Sequence, residues 1–97
     1  MNATLTEIQI VPIKPKDGLV AFASFVLNDY LYLSSIGIMT RPQGGYRLVY
    51  PTKIVRNRQI NIFHPINKNF ATLIHAEVVK KFEEVMSYGR YSQINAG

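Results

Sequence analysis

The stretch Ile60-Asn61-Ile62-Phe63-His64-Pro65-Ile66-Asn67 brings a strand period, a turn signal and the start of a helix period together, and nothing else in the chain constrains the fold as tightly. Apolar and polar residues alternate through Ile62, as in a half-buried strand. His-Pro then breaks the run, because proline has no N–H to give a ladder and pushes the residue before it out of the helical region. From Phe70 to Tyr88 the period changes. Phe70, Leu73, Ile74, Val78, Phe82 and Val85 recur at spacings of three and four and make one apolar stripe. Asn67 or Asn69 can cap the start of this helix, and Gly89 is suited to its C′ position. Glu77–Lys81 is an i,i+4 pair in the favourable order, and Lys80–Glu84 has the reverse order. A helix with such a stripe covers the face of a sheet.

The sheet is read upstream. Thr4–Lys14 is a strand with Ile8, Ile10 and Pro12 on one face, and Pro15-Lys16-Asp17-Gly18 is a turn. Leu19–Leu27 is apolar on both faces, which predicts a central position. Asn28-Asp29 joins it tightly to a return strand, Tyr30–Met39. Thr40–Gly45 is a loop by its proline and glycine pair. Tyr46–Tyr50 is a short strand, Pro51–Arg58 an exposed basic loop or strand edge, and Gln59–Phe63 the last strand. The expected fold is α+β: about five antiparallel strands followed by one long C-terminal helix. Residues 1–89 form the single domain, and the polar residues 90–97 a flexible tail.

Ninety-seven residues suffice for one domain that buries roughly 60–70% of its unfolded surface. With 47% hydrophobic and 18% charged residues the chain is globular in composition. It has no cysteine, which removes disulfides and thiolate metal sites and fits a reducing compartment. Met1–Ile10 lacks the pattern of a signal peptide, and no apolar run reaches the length of a membrane span. A soluble cytoplasmic protein is expected.

Eleven Lys and Arg against six Asp and Glu give a net charge of +5, which favours polyanionic partners. Lys53, Arg56 and Arg58 cluster without an acid among them and can release counterions from a phosphate backbone. Lys80 and Lys81 lie among Glu77, Glu83 and Glu84 and read as a solvated helix face. Tyr46, Leu48 and Tyr50 share a strand face that is better suited to packing than to stacking bases. His64, before proline, is suited to bonding a nearby backbone carbonyl. His75 is eleven residues further on, and two histidines without acids or thiols at ligand spacing do not make a metal site. No catalytic triad, carboxylate pair or phosphate-binding glycine motif is present. The sequence thus implies no enzyme, cofactor, metal or small-molecule substrate.

Four segments carry a family resemblance over roughly residues 5–85: Ala21-x-Ala23-Ser24-x-x-Leu27-Asn28, Ile36-x-Ile38 with Gly45, Tyr50-Pro51-Thr52-Lys53, and Phe63-His64-Pro65-Ile66-Asn67. In this order the chain resembles the stage V sporulation protein G (SpoVG) family, regulators of sporulation and septation. The resemblance implies a cytoplasmic homodimer that binds DNA and RNA, acts in transcription regulation and cell division, and catalyses nothing. The family's binding determinants lie in its Pro-Ser-Lys loop and at the start of its C-terminal helix. Lys53 keeps the basic character of the first. The second differs: the family often reads Ser-Ser-Thr-Arg-Gly-Lys where this chain reads Lys68-Asn69-Phe70-Ala71-Thr72-Leu73, so Ala71 and Leu73 replace two cations and Lys68 offers one at a displaced position. Arg47 also stands where the family has an aromatic or aliphatic residue. The expected nucleic-acid-binding residues are therefore Lys53, Arg56, Arg58 and Lys68. The alternative is a protein–protein adaptor that keeps the fold without that surface.

Overall fold

The computed structural model describes residues 2–96, with side-chain surroundings for residues 2–88. Six strands precede one helix: β1 (Leu5–Lys16), β2 (Leu19–Leu27), β3 (Leu31–Thr40), β4 (Tyr46–Val49), β5 (Thr52–Val55), β6 (Arg58–Asn61) and α1 (Lys68–Ala96). β1 to β4 form an antiparallel sheet in the order β1-β2-β3-β4, and β5 and β6 form a separate two-stranded sheet. The α+β fold is as expected, with β2 flanked by β1 and β3. The last strand does not extend the main sheet: it pairs only with β5, in the segment expected to be a loop or a strand edge.

The connections follow from local chemistry. Asp17-Gly18, Asn28-Asp29 and Arg56-Asn57 all have positive φ at both residues, as type I′ turns require, and that twist matches the strands they join. The second turn is closed by the Tyr30 N–H donating to the Leu27 carbonyl at 3.0 Å. Gly44 and Gly45, at φ 100° and 77°, complete the β3–β4 loop, in which Arg41 and Gly45 are hydrogen-bonded through the backbone.

Two of the sheet's four register shifts are bulges with a residue at positive φ. Glu7, at φ 50°, is the extra residue between the pairs Thr6↔Val26 and Gln9↔Ser24. Ser35, at φ 64°, falls between Phe25↔Leu33 and Ala23↔Ile36. Both flank Ser24-Phe25 from opposite sides, so the sheet bends there. Each bulge also resets the alternation: Leu5 and Ile8 pack on the same core, as do Leu33 and Ile36, although each pair is three residues apart.

α1 lies across one face of this sheet. Ala21, Ala23, Phe25, Ile36 and Ile38 are buried against Ile74, Val78 and Phe82. Each fully buried Ile, Val or Phe is worth about 1.5–3 kcal/mol of transfer free energy. The helical stripe runs Phe70, Ile74, Val78, Phe82, Met86, with Met86 rather than Val85 closing it, while Leu73 and Val85 are only half-buried. Asn67 is the cap: its Oδ1 accepts from the Phe70 N–H at 2.9 Å, and its carbonyl accepts from Ala71 at 2.9 Å. At the other end α1 continues past Gly89, where a C′ cap was expected. A C′ glycine is a preference rather than a stop, and no proline follows to enforce one. The flexible tail expected over residues 90–97 falls on positions outside those whose surroundings are described.

No helix among the described residues covers the opposite face of the sheet. Val11↔Phe22↔Gly37↔Val49 is one row across all four strands, on the side away from α1. Val11 is 61% exposed, Phe22 38% and Val49 37%.

Candidate nucleic-acid interface

β5 and β6 are made of residues that suit a strand, with Thr52, Ile54, Val55 and Ile60 all β-branched, yet every residue of both strands is exposed. The register Thr52↔Asn61, Lys53↔Ile60, Ile54↔Gln59, Val55↔Arg58 divides the ribbon into two faces. One face carries Lys53, Val55, Arg58 and Ile60. The other carries Thr52, Ile54, Gln59 and Asn61, where Gln59 Nε2 donates to Thr52 Oγ1 at 3.1 Å.

The root of the hairpin ties it to the body. The Ile62 N–H donates to the Pro51 carbonyl at 2.9 Å, which continues the ladder. Below it Tyr50 and Phe63 meet edge to face, with ring centroids 6.0 Å apart, and both pack against the core. Burial pushes the Tyr50 phenol up to about 12, because the phenolate would lose its hydration there. Tyr50 and Phe63 extend the Thr52/Ile54/Gln59/Asn61 face. That face is therefore blocked at its root, and the Lys53/Arg58 face is free along its whole length.

The hairpin gathers three of the four expected binding residues. Lys53 and Arg58 are diagonal neighbours on the free face, with Cα atoms about 7–8 Å apart by ladder geometry. Arg56 is the first residue of the turn at the tip, at φ 51°, a conformation costly to any side chain with a Cβ. Lys68 is not part of this group. It is the first residue of α1 after the Asn67 cap and lines a groove along the helix with Tyr46, His75 and Val79. It adds no charge to the ribbon.

The charge is more concentrated than the Lys53–Arg58 cluster alone suggests. No acidic residue stands between Asp29 and Glu77, while Arg41, Arg47, Lys53, Arg56, Arg58 and Lys68 all do. The rest of the chain, with five cations and all six acids, is close to neutral. Arg41 belongs to this acid-free run and lies outside the cluster that the sequence pattern alone singles out. Arg47 sits on the open face of the main sheet, opposite Met39.

Tyr46 is partly buried against the core. Its ring meets Phe82 edge to face at 4.9 Å, and Leu48 and Tyr50 pack on the same core, so this strand presents no aromatic platform to bases. His64 Nδ1 donates to the Pro65 carbonyl at 3.2 Å, which holds the turn between β6 and α1. Among the described residues no group of His, Asp and Glu has the arrangement of a metal site. No helix among them is long and apolar enough to cross a membrane.

With this geometry in place, comparison by family is decisive: the SpoVG family model matches residues 3–84. The chain belongs to the SpoVG family. The match takes in the whole sheet, the hairpin and the core-packing part of α1. Among individually curated proteins no significant match is found. SpoVG proteins are a regulatory, non-enzymatic family, and membership makes this chain a regulator associated with sporulation and septation. Within the SpoVG frame, Thr52-Lys53 opens β5, and the altered segment Lys68–Leu73 forms the first turns of α1. Ala71 and Leu73 are half-buried there rather than displayed.

Proposed function

We propose that this SpoVG protein binds DNA or RNA through the β5–β6 hairpin, as a homodimer, and exerts its regulatory role through that binding. The observation that carries this reading is the hairpin: Lys53, Arg56 and Arg58 stand on a fully exposed ribbon within an acid-free stretch of chain. A ribbon of this kind hides no surface of its own, so its side chains are available to a partner. Three cations per hairpin give a log–log salt slope of roughly −2.7 per protomer on duplex DNA, and about −5 for a dimer that engages both hairpins. The uncovered row of Val11, Phe22 and Val49 supports dimerisation, because exposed apolar patches on a sheet mark interaction surfaces. Lys68 is a secondary contact, set apart from the ribbon. The protein acts in the cytoplasm, where its nucleic-acid targets lie.

The test is fluorescence anisotropy with DNA and RNA across a salt series, beside a variant with Lys53, Arg56 and Arg58 all changed to Glu. The wild-type protein binds at low salt and weakens steeply as salt rises, and the variant loses binding while keeping its fold by circular dichroism. Absence of binding to any nucleic acid at low salt removes the proposal. Sedimentation at micromolar concentration checks the dimer, and a monomer of 11.0 kDa overturns it.

A protein-adaptor role is the second reading. It is favoured by the groove along α1, where Tyr46, Ala71, Val79 and Met86 present apolar surface. Specific capture of a protein partner that depends on Ala71 and Val79, together with salt-independent, weak retention of DNA, would favour it over the first.

A further inference from the structure

The β5–β6 ribbon has the dimensions of an element that enters a groove, and its two faces differ in what they can touch. Two strands about 4.8 Å apart, each four residues long, make a ribbon about 13 Å in length. The major groove of B-form DNA is about 12 Å wide and about 8.5 Å deep, and it admits a two-stranded ribbon. The face blocked at its root by Tyr50 and Phe63 cannot lie flat on a partner along its length. The other face can: Lys53, Val55, Arg58, Ile60 and Ile62 are all exposed on it.

We infer that the hairpin inserts into the major groove of duplex DNA with its Lys53/Val55/Arg58/Ile60 face toward the base edges, and that Arg58 reads guanine. The inference rests on the nucleic-acid reading above and narrows it to one class of ligand and one groove. Arg58 supplies a planar fork that matches the O6 and N7 acceptors of guanine, and Lys53, its diagonal neighbour, donates to an adjacent acceptor. Val55 and Ile60 offer apolar contact to thymine methyl groups, which a purely phosphate-directed surface would not need. Arg56 at the tip is placed for the phosphates on the far wall of the groove. A-form RNA has a deep, narrow major groove that excludes the ribbon, and a single strand has no groove, so both bind by charge alone.

The wild-type protein is titrated at one salt concentration with duplex DNA, double-stranded RNA of the same sequence, and the single strands. The same duplex is prepared with 7-deazaguanine in place of guanine, which deletes N7 from the major groove and leaves the phosphates unchanged. The R58K variant, which keeps the charge and loses the fork, is measured beside it. Duplex DNA is expected to bind about tenfold or more tighter than double-stranded RNA. Deazaguanine and R58K are each expected to weaken it about tenfold, with little effect of R58K on single strands. Equal affinity for duplex DNA and double-stranded RNA overturns the groove inference, as does indifference to deazaguanine. Either result leaves nucleic-acid binding standing. Failure to bind any of the probes instead removes the functional reading itself, so the two failures are distinguishable.

Discussion

The four-stranded sheet and the β5–β6 hairpin are made from the same materials, β-branched residues joined by turns with two consecutive positive φ values, yet they have opposite fates. The sheet buries Ala21, Ala23, Phe25, Ile36 and Ile38 under α1, while the hairpin buries none of its eight strand residues. An isolated two-stranded hairpin is marginal in water. This one is held by its ladder and by the Tyr50–Phe63 contact at its root, not by a core. Its side chains are consequently free of packing constraints, and that freedom is where Lys53, Arg56 and Arg58 are found.

The sharpest way to break this contrast is to remove one large side chain from each region. Phe82→Ala deletes a ring that is 3% exposed and in edge-to-face contact with Tyr46, and should cost about 3–5 kcal/mol. Ile54→Ala removes a side chain that is 74% exposed and should change stability by no more than about 0.5 kcal/mol. Urea denaturation of both variants reads the difference. Comparable losses would mean that the hairpin is packed in solution, against a second copy of the chain for instance.

The junction between the two regions is sensitive to alkali. Tyr50 has a folded-state value of about 12 against an ordinary 10, so the folded state holds its proton more tightly. Its contribution is fully present below pH 10 and is lost as pH rises from 10 through about 12; because the side chain is only partly buried, solvent screening reduces the effect to about 1–2 kcal/mol. Tyr50→Phe should lessen the loss of stability across that window, and the difference in phenolate absorbance between wild type and Tyr50→Phe should show Tyr50 titrating late. A wild-type stability that is flat from pH 10 to 12 would show Tyr50 to be hydrated and the hairpin root loose.

These two regions were also unequally legible in the sequence. The body was readable because burial leaves a pattern: the apolar residues on both faces of β2 mark a central strand, and the stripe of Phe70, Ile74, Val78 and Phe82 reports which face of α1 is covered. The reading failed where the backbone departs from that period. Glu7 and Ser35 bulge at positive φ, and neither residue type announces it. The hairpin was harder for a different reason. Lys53 and Arg58 interrupt its apolar residues, and its turn is Arg56-Asn57 rather than Asn-Gly, so Pro51–Arg58 reads as either a loop or a strand edge and not as half of a hairpin. The cation cluster was visible as composition, but only the register Val55↔Arg58 and Lys53↔Ile60 shows that two of its members share a face and that Lys68 stands apart.

A smaller effect tests the link that leads from the hairpin into the helix. Asn67→Ala removes the acceptor for the Phe70 N–H and should cost about 1 kcal/mol, read by thermal unfolding. It should leave the salt dependence of the proposed nucleic-acid binding unchanged, because the ribbon does not depend on the cap. A changed salt slope would show that the helix start and the hairpin act as one surface after all.

The smallest effect carries the most information about why the hairpin has its sequence. Arg56 occupies a left-handed position, φ 51°, that favours glycine or asparagine. Arg56→Gly relieves that strain and enlarges the entropy of the unfolded chain, and the two partly cancel to leave a gain of about 0.5 kcal/mol. The same change removes the cation at the tip, so affinity for duplex DNA should fall and the salt slope should drop by about 1 per hairpin. Stability and binding are thus expected to move in opposite directions, which is the signature of a strained residue kept for its contact rather than for the fold. If affinity and slope are both unchanged in Arg56→Gly, the tip does not reach phosphate, and the interface is confined to Lys53 and Arg58 on the free face.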